Sequence, residues 1–266
     1  MKKLFKFKLF SILSLGKYRR IYKFHKGTGR LQAARRMLDN LVEIDVFDAT
    51  RPGVLTGEIK TAGYTNFNYM PYWPAYTSVT KEMIRQAHNY YISAVMYANR
   101  NRKSIFLDLG SGPGKNVILA AESGKFSHCF GVDIESDLVA LGKENLTRLR
   151  RIKPGLRTTF MSIFKGNAEE NSFIEEITSE IVKSGLNSND VTLFVYNKNS
   201  YGPEVLKKSL SIIESKFDSV FYLYQNPVQQ KVLIEEGYEL FASDAKPNNA
   251  HKNFKYSLFL KHNFRK

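Results

Sequence analysis

The amino-acid sequence predicts an α/β fold: a doubly wound, mostly parallel sheet of seven strands, with an antiparallel edge strand and helices on both faces. Three observations predict it. Short apolar runs alternate with helical patterns between residues 105 and 236, a glycine-rich turn follows the first run, and two late extended runs have no helix between them. Strands that alternate with crossover helices form parallel sheets covered on both faces, whereas strands joined without a crossover pair antiparallel.

Seven apolar runs carry the strand prediction. Each is short, rich in aromatic, β-branched or leucine residues, and bounded by turn-forming residues, as strands are. In chain order they cover residues 105–109, 129–134, 158–164, 191–196, 219–224, 238–242 and 254–261. A polar loop joins the last two, so we expect a hairpin at one edge of the sheet.

Apolar residues at helical spacing predict the helices. Residues 79–101 indicate one long amphipathic helix before the first strand. A helical stretch ending at Glu122 follows the glycine turn, and Pro203 stands where proline is favoured, in the first turn of a helix. The other predicted helices cover residues 137–151, 172–183, 203–216 and 229–236.

The positive charge is concentrated at one end of the chain. The 266 residues carry a net charge of +15, and residues 1–38 contain twelve Lys and Arg residues and no acid. We therefore predict a basic amphipathic arm over 1–38, a loop-rich lid over 39–78 and one large domain over 79–266. The lid prediction rests on prolines, glycines and aromatic residues that follow no sustained period.

The arm suggests a location for the protein. Residues 1–26 interleave lysines with Leu, Phe and Ile, a pattern typical of a helix on an anionic membrane surface. Docking of the arm on the domain is an equal alternative, and nucleic-acid binding is less favoured because no base-reading motif accompanies the charge. We expect a cytoplasmic protein, with peripheral attachment at the inner face of the membrane as one option.

A glycine-rich turn follows the first predicted strand: residues 105–114 read Ile-Phe-Leu-Asp-Leu-Gly-Ser-Gly-Pro-Gly. Glycines suit such a turn because a ligand close to the backbone leaves no room for Cβ, and because the turn can require φ > 0. Asp108 precedes the turn, and Asp133 ends the next apolar run 25 residues later. There a carboxylate can accept both ribose hydroxyls, so the two acids indicate an adenosine ligand.

Other ligand classes fit less well. The nicotinamide-binding pattern G-x-G-x-x-G requires glycine at position 115, where this chain has Lys115, and the phosphate-binding pattern G-x-x-x-x-G-K-[ST] does not occur. The single cysteine, Cys129, cannot form an internal disulfide. No Cys/His cluster has zinc spacing, so we predict no metal site.

At these residues the sequence resembles the class I S-adenosylmethionine-dependent methyltransferases, whose first motif is an acid followed by G-x-G-x-G and whose second places an acid at the end of strand two. The resemblance covers residues 79–266 and implies a Rossmann-like fold that transfers a methyl group from S-adenosyl-L-methionine. In that family the glycine turn passes under the methionine part of the cofactor, the first acid lies near its amino group, and the second holds the ribose. The cofactor-binding residues implied here are Asp108, Gly110, Ser111, Gly112, Gly114, Asp133, Ile134 and Asn167.

The third motif departs from the family pattern. Many members have Gly-Asp-Ala after strand three, and the acid reaches the adenine amino group. This chain has Asn167 between Gly166 and Ala168. An amide carbonyl accepts the same hydrogen bond without charge assistance, so we expect weaker cofactor binding. A turn-forming role for Asn167 is the equal alternative.

The segment after the fourth strand resembles the Asn-Pro-Phe-Gly stretch of relatives that methylate nitrogen. Residues 199–202 read Asn-Ser-Tyr-Gly, which differs in the serine. The resemblance implies Asn199 and Tyr201 as catalytic residues, with Asn197 as the competing amide and helix capping as the alternative role for both asparagines. An amide carbonyl and an aromatic wall orient an amine lone pair, and positioning supplies most of the acceleration of an in-line displacement. No general base is evident, which also favours a nitrogen acceptor.

The lid carries a more specific resemblance. Residues 47–57 and 69–71 are similar to the Phe-Asp…Gly-x-x-Thr-x-Gly and Tyr-x-Pro segments of a bacterial methyltransferase group distantly similar to histone-core lysine methyltransferases. Residues 224–227, Tyr-Gln-Asn-Pro, fit the same group. These relatives imply that Tyr69 and the lid close over the cofactor.

Two alternative functions stay open. One is an inactive cofactor-binding module that acts as a membrane- or nucleic-acid-associated partner, and the changed third motif and Ser200 in place of proline favour it. The other is a nucleotide-dependent enzyme on a similar sheet, against which Lys115 counts. The sequence leaves the methyl acceptor unidentified.

Overall fold

The computed structural model describes residues 47–48, 50–56, 75–95, 102–198, 201–244 and 256–262. The predicted arm, residues 1–38, lies outside this part of the chain, as do Tyr69 and Asn199. The predicted boundaries of arm, lid and domain therefore stay a prediction. Within the described ranges, no helix has both the length and the apolar character needed to cross a membrane.

All seven predicted strands are confirmed, each to within two residues at either end. They are β1 (Lys103–Leu109), β2 (His128–Asp133), β3 (Phe160–Lys165), β4 (Val191–Asn197), β5 (Ser219–Gln225), β6 (Glu239–Ser243) and β7 (Tyr256–His262). Strands β2, β4 and β5 are buried throughout and β1 is buried from Ile105 onward, as expected of strands covered on both faces, whereas β3 at the sheet edge begins and ends with exposed residues.

The helices also follow the prediction. They are α1 (Thr77–Tyr90), α2 (Lys115–Glu122), α3 (Ser136–Ile152), α4 (Asn171–Lys183), α5 (Pro203–Glu214) and α6 (Gln230–Glu235). The long helix predicted over 79–101 differs in one respect, because α1 passes at Tyr91 into a single π-helical turn that reaches Val95. Residues 96–101 lie outside the described part of the chain.

The strand order across the sheet is β3-β2-β1-β4-β5-β7-β6. Strands β1 to β5 are parallel, and β7 runs antiparallel to both β5 and β6. The predicted C-terminal hairpin is thus confirmed, with β7 inserted inside and β6 outermost. In this arrangement residues 256–260 of β7 are all buried, whereas β6 at the sheet edge begins with exposed Glu239 and Leu240.

Two apolar layers enclose the sheet. Helices α1, α2 and α3 pack on one face, which includes Phe106 of β1 and Phe194 of β4. Helices α4, α5 and α6 pack on the other face, which includes their chain neighbours Leu107 and Val195. This alternation of adjacent residues between faces is the period of a strand. The parallel orientation of β1 to β5 brings their carboxyl ends to one edge of the sheet.

The glycine turn after β1 lies tightly against β2. Its Ser111 packs over Gly131, where an added Cβ would come within 2.7 Å of both the Cβ and the Oγ of Ser111. Gly131 therefore keeps the two strand ends close because it has no side chain. The residue lies inside a buried strand, where glycine usually marks a close approach of backbone.

Replacement of Gly131 by alanine should push Ser111 and the turn away from β2. We expect Gly131→Ala to lower the free energy of unfolding by about 2 kcal/mol, the usual cost of overpacking. Urea unfolding of the purified protein measures this change. The matched control is Gly155→Ala, because a Cβ at Gly155 meets nothing within 4 Å. Equal stabilities of the two variants would show that the turn has room to move.

Candidate active site

The turn between β1 and α2 has the geometry that its glycines predict. Gly110, Gly112 and Gly114 have φ angles of 75°, 51° and 84°, a region that residues with a side chain rarely adopt. The N–H groups of Gly110 and Ser111 both donate to the carbonyl of Val132, at 2.9 and 3.0 Å. The turn therefore wraps the carboxyl end of β2 and leads into α2.

Asp133 fixes the middle of this turn. Its Oδ2 accepts a hydrogen bond from the N–H of Gly112 at 2.7 Å, and its Oδ1 accepts one from the N–H of Glu135 at 2.9 Å. The residue is 7 % exposed. Burial raises the pKa of Asp133, and the two backbone donors oppose that rise. The carboxylate predicted to hold a ribose thus also braces the glycine turn against β2.

Asp108 lies deeper in the same site. It is 1 % exposed, and its Oδ2 accepts a hydrogen bond from the side-chain amide of Asn116 at 3.2 Å. Its Oδ1 accepts none from any residue that the structure describes. Burial raises the pKa of Asp108 to about 8, although the Asn116 bond lowers it, and the charge of Asp133 adds to the rise.

A chain of polar side chains continues from Asp108 through the core. The hydroxyl of Thr80 on α1 donates to the Oδ1 of Asn116 at 3.2 Å and lies 3.3 Å from the hydroxyl of Tyr196. The Tyr196 hydroxyl donates to the Oε1 of Gln225 at the end of β5. The chain thus ties α1, α2, β4 and β5 together beneath the turn. Sequence reasoning missed it, although polar residues on the apolar faces of α1 and α2 were a visible signal.

The described part of the lid is clamped to the glycine turn. Asn145 on α3 exchanges two hydrogen bonds of 2.9 Å with the backbone N–H and carbonyl of Leu55. The same amide donates to the carbonyl of Pro113 inside the turn, also at 2.9 Å. Asp48 closes the lid loop on itself by accepting from the N–H and the hydroxyl of Thr56. The resemblance had implied a lid near the cofactor, but it did not identify Asn145.

A second anchor holds the same loop on α2. The guanidinium of Arg51 forms a buried ion pair with Glu122 and donates to the carbonyl of Phe47 at 2.8 Å. Lys153 completes the network at 2.7 Å from Glu122. These bonds lower the pKa of Glu122 against the effect of its burial. The described residues of the loop 47–56 therefore pack against the rest of the fold.

Two lysines lie where the lid meets the site. Lys115, 1 % exposed, donates to the carbonyl of Ala75 at 2.7 Å. Lys198 follows the last residue of β4, and its Nζ is 5.8 Å from the centre of the Tyr76 ring. Burial, together with the charge of Lys115, lowers the pKa of Lys198 to about 7. Sequence reasoning noted Lys115 only as a missing glycine and did not select Lys198.

The other predicted site residues are dispersed. Asn197 is buried at the end of β4, in register with Leu109 of β1. Tyr201 packs in the apolar layer of α4 to α6, and Ile134 is half-buried just after β2. Asn167 accepts a hydrogen bond from the N–H of Glu169 at 3.0 Å, the bond of a turn-forming residue. Its predicted contact with adenine stays a prediction, as do the roles of Tyr201 and Ile134.

Comparison with known proteins identifies the family. The model of the family described as "Histone methylation protein DOT1" matches residues 74–214, which is more than half of the chain. The chain belongs to the DOT1 family. It is accordingly a methyltransferase that uses S-adenosyl-L-methionine, which confirms the resemblance seen in the sequence. No curated protein sequence matches this DOT1-family chain.

Solved structures with a similar fold include three methyltransferases. The methyltransferase domain of bacterial CtHen1 is 12 % identical, with 69 % of this chain and 98 % of that chain covered and a TM-score of 0.46. Magnesium protoporphyrin IX methyltransferase from Synechocystis PCC 6803 is 12 % identical, with 85 % of this chain and 96 % of that chain covered and a TM-score of 0.43. TrmK from M. capricolum is 11 % identical, with 67 % of this chain and 66 % of that chain covered and a TM-score of 0.39.

The residues around the glycine turn fit S-adenosyl-L-methionine. The cofactor carries an ammonium group, ribose hydroxyls and a sulfonium that bears the methyl group. Asp108 Oδ1 and Ser111 Oγ are buried polar atoms with no hydrogen-bond partner among the described residues, so a polar ligand would complete them. The backbone of Gly110 is exposed beside them.

Asp108 should give the cofactor-free DOT1-family protein a characteristic pH dependence. The folded state keeps the proton of this carboxyl up to about pH 8, whereas the unfolded chain loses it near pH 4. The folded state therefore binds more protons between these values, and stability falls as pH rises, by at most about 1.4 kcal/mol per pH unit.

Asp108→Asn removes this titration and keeps the shape of the side chain. Urea unfolding of both proteins at pH 5, 6, 7 and 8 should show the wild type losing stability relative to the variant as pH rises. Parallel profiles would mean that Asp108 is already ionised in the folded protein.

Proposed function

We propose that this enzyme methylates a nitrogen atom of its acceptor, and that an asparagine after β4 positions that atom. The observation that carries the proposal is Asn197, a buried amide at the carboxyl end of β4, in register with the residue that precedes the glycine turn. Its carbonyl would accept a hydrogen bond from an amine and direct the lone pair at the methyl group. Asn199 is the competing amide, and the test separates the two.

The chemistry of the surroundings supports nitrogen over oxygen. A hydroxyl acceptor needs a strong base to remove its proton, whereas an amine attacks once it is neutral. At the end of β4, residues 196–198 read Tyr-Asn-Lys, and the buried carboxyls among the described residues are Asp108 of β1 and Asp133 of β2. Both belong to the proposed cofactor site, which leaves amide and lysine groups for the acceptor.

The cofactor would lie across the glycine turn. In this proposal Asp108 Oδ1 receives the ammonium group, and the remaining lone pairs of Asp133 receive the ribose. Gly110, Ser111, Gly112 and Gly114 supply the turn beneath the methionine part, Ile134 and Asn167 border the adenine, and Tyr69 covers it. When bound, the cofactor supplies the activated methyl group; the protein supplies position and excludes water.

A protein side chain is the first acceptor to examine. The family model that matches this chain is described by histone methylation, which is a reaction on protein. Transfer of a labelled methyl group should therefore be followed in the protein, RNA, lipid and small-molecule fractions of a lysate. The accepting atom is then read from the methylated product by mass spectrometry.

Asn197→Ala should lower the rate of methyl transfer by about 100-fold, a typical loss for one positioning hydrogen bond in an active site. The thermal shift produced by S-adenosylhomocysteine should stay as in the wild type. Asn187→Ala is the matched control, because Asn187 is exposed just before the opposite end of β4. A loss in Asn199→Ala alone would assign the role to Asn199. Methylated oxygen or carbon in the product would contradict the nitrogen proposal.

The basic arm is proposed to bind an anionic membrane surface, as its alternation of lysines and apolar residues suggests. Deletion of residues 2–26 should abolish sedimentation of the protein with liposomes that contain anionic lipid. Neutral liposomes are the control, because they offer no charge attraction. Unchanged sedimentation of the deletion variant would dismiss this role.

A further inference from the structure

We propose that Lys198 receives the proton that the acceptor nitrogen loses when it is methylated. This inference rests on the nitrogen acceptor proposed above and adds a second residue to that site. Lys198 immediately follows Asn197, so the two residues lie at the carboxyl end of β4, the strand next to β1 and its glycine turn.

The surroundings of Lys198 come from the elements that frame the site. Tyr76, the residue before α1, presents its ring 5.8 Å from Nζ. Lys115 begins α2 directly after Gly114 and is the charged group that acts on Lys198 from that side. Lys115 is itself held by the carbonyl of Ala75. Lys198 therefore lies between the end of β4, the start of α1 and the end of the glycine turn.

This environment favours a neutral lysine. The side chain is half-buried, and the neighbouring cation of Lys115 repels a second positive charge. Both effects lower the pKa of Lys198 to about 7, from an ordinary value near 10.5. A base whose pKa is close to the working pH is suited to proton transfer. The Tyr76 ring then stabilises the ammonium that forms, because a ring face attracts a cation.

The proposed step is balanced in atoms and charge. The acceptor amine arrives as an ammonium ion and gives one proton to the neutral Nζ of Lys198. Its freed lone pair forms the new N–C bond, while the S–C bond breaks and its electron pair stays on sulfur, which becomes a neutral thioether. Lys198 then releases the proton to water, and no oxidant or reductant is needed.

The first test measures Lys198 without any acceptor. Competitive acetylation of the full-length protein with acetic anhydride, followed by mass spectrometry, gives the reactivity of each lysine against pH. Lys198 should react half-maximally near pH 7. Lys231 is the internal control, since its side chain is 88 % exposed. The proposal would be overturned if the acetylation of Lys198 depended on pH in the same way as that of Lys231.

The second test follows methyl transfer to poly-L-lysine and to lysate protein. Lys198→Met should lower the rate at pH 7 by about 100-fold, within the usual range for a lost proton acceptor. Its rate should then rise about tenfold per pH unit up to pH 9, as solvent deprotonates the amine, while the wild type levels off above pH 7. Lys198→Arg, which stays charged, should behave like Lys198→Met. Lys231→Met should match the wild type.

The outcomes separate this inference from the proposed function. Wild-type transfer to nitrogen, with the same rate and pH profile in Lys198→Met, overturns the role of Lys198 and leaves the nitrogen acceptor intact. Transfer to an atom other than nitrogen, or no transfer to poly-L-lysine or to any lysate fraction, overturns the proposed function and this inference together. An unchanged thermal shift with S-adenosylhomocysteine shows that Lys198→Met is folded and binds cofactor product.

Discussion

The hydrogen bond from the N–H of Gly112 to the carboxylate of Asp133 is the constraint on which the site depends. It joins the turn after β1 to the end of β2, at 2.7 Å and almost out of contact with water. With the turn fixed there, α2 must begin at Lys115, and the carbonyl of Pro113 points to Asn145. Asn145 in turn holds the lid loop at Leu55, so one buried carboxylate determines the place of four segments.

Burial of a second carboxyl, that of Asp108, is unfavourable unless other polar groups in the core hydrogen-bond to it. A buried polar group is destabilising unless it is hydrogen-bonded, and a buried charge more so. Asn116 satisfies one oxygen of Asp108, and the amide is then held by Thr80, which stands beside Tyr196. Each buried polar group thus needs a further hydrogen-bond partner, and this chain of polar side chains ends at Gln225 on β5. The Oδ1 of Asp108 has no hydrogen-bond partner among the described residues, and a polar ligand would supply one.

The sequence predicted what depends on short stretches of chain. The three glycines and Asp108 are within seven residues, and Asp133 is recognisable near the end of an apolar run. Asn145 was not recognisable, because its partner Leu55 is 90 residues away and nothing in a helix pattern marks it. The strand order within the C-terminal hairpin was beyond prediction for a similar reason. Both runs are apolar, and only packing against β5 decides which is inside.

Burial acts in opposite directions on the pKa values of Asp108 and Lys198, the two groups to which we assign charged partners. Burial raises the pKa of Asp108 to about 8 and lowers that of Lys198 to about 7, so both groups are closer to neutral at pH 7 than they would be in water. Neither uncompensated charge then has to be buried in the folded enzyme. In the arrangement we propose, a cationic cofactor favours ionised Asp108, and a cationic acceptor finds a neutral Lys198 able to take its proton. Desolvation disfavours the charged form of each group. The proposed charged ligand beside each group therefore decides its protonation state.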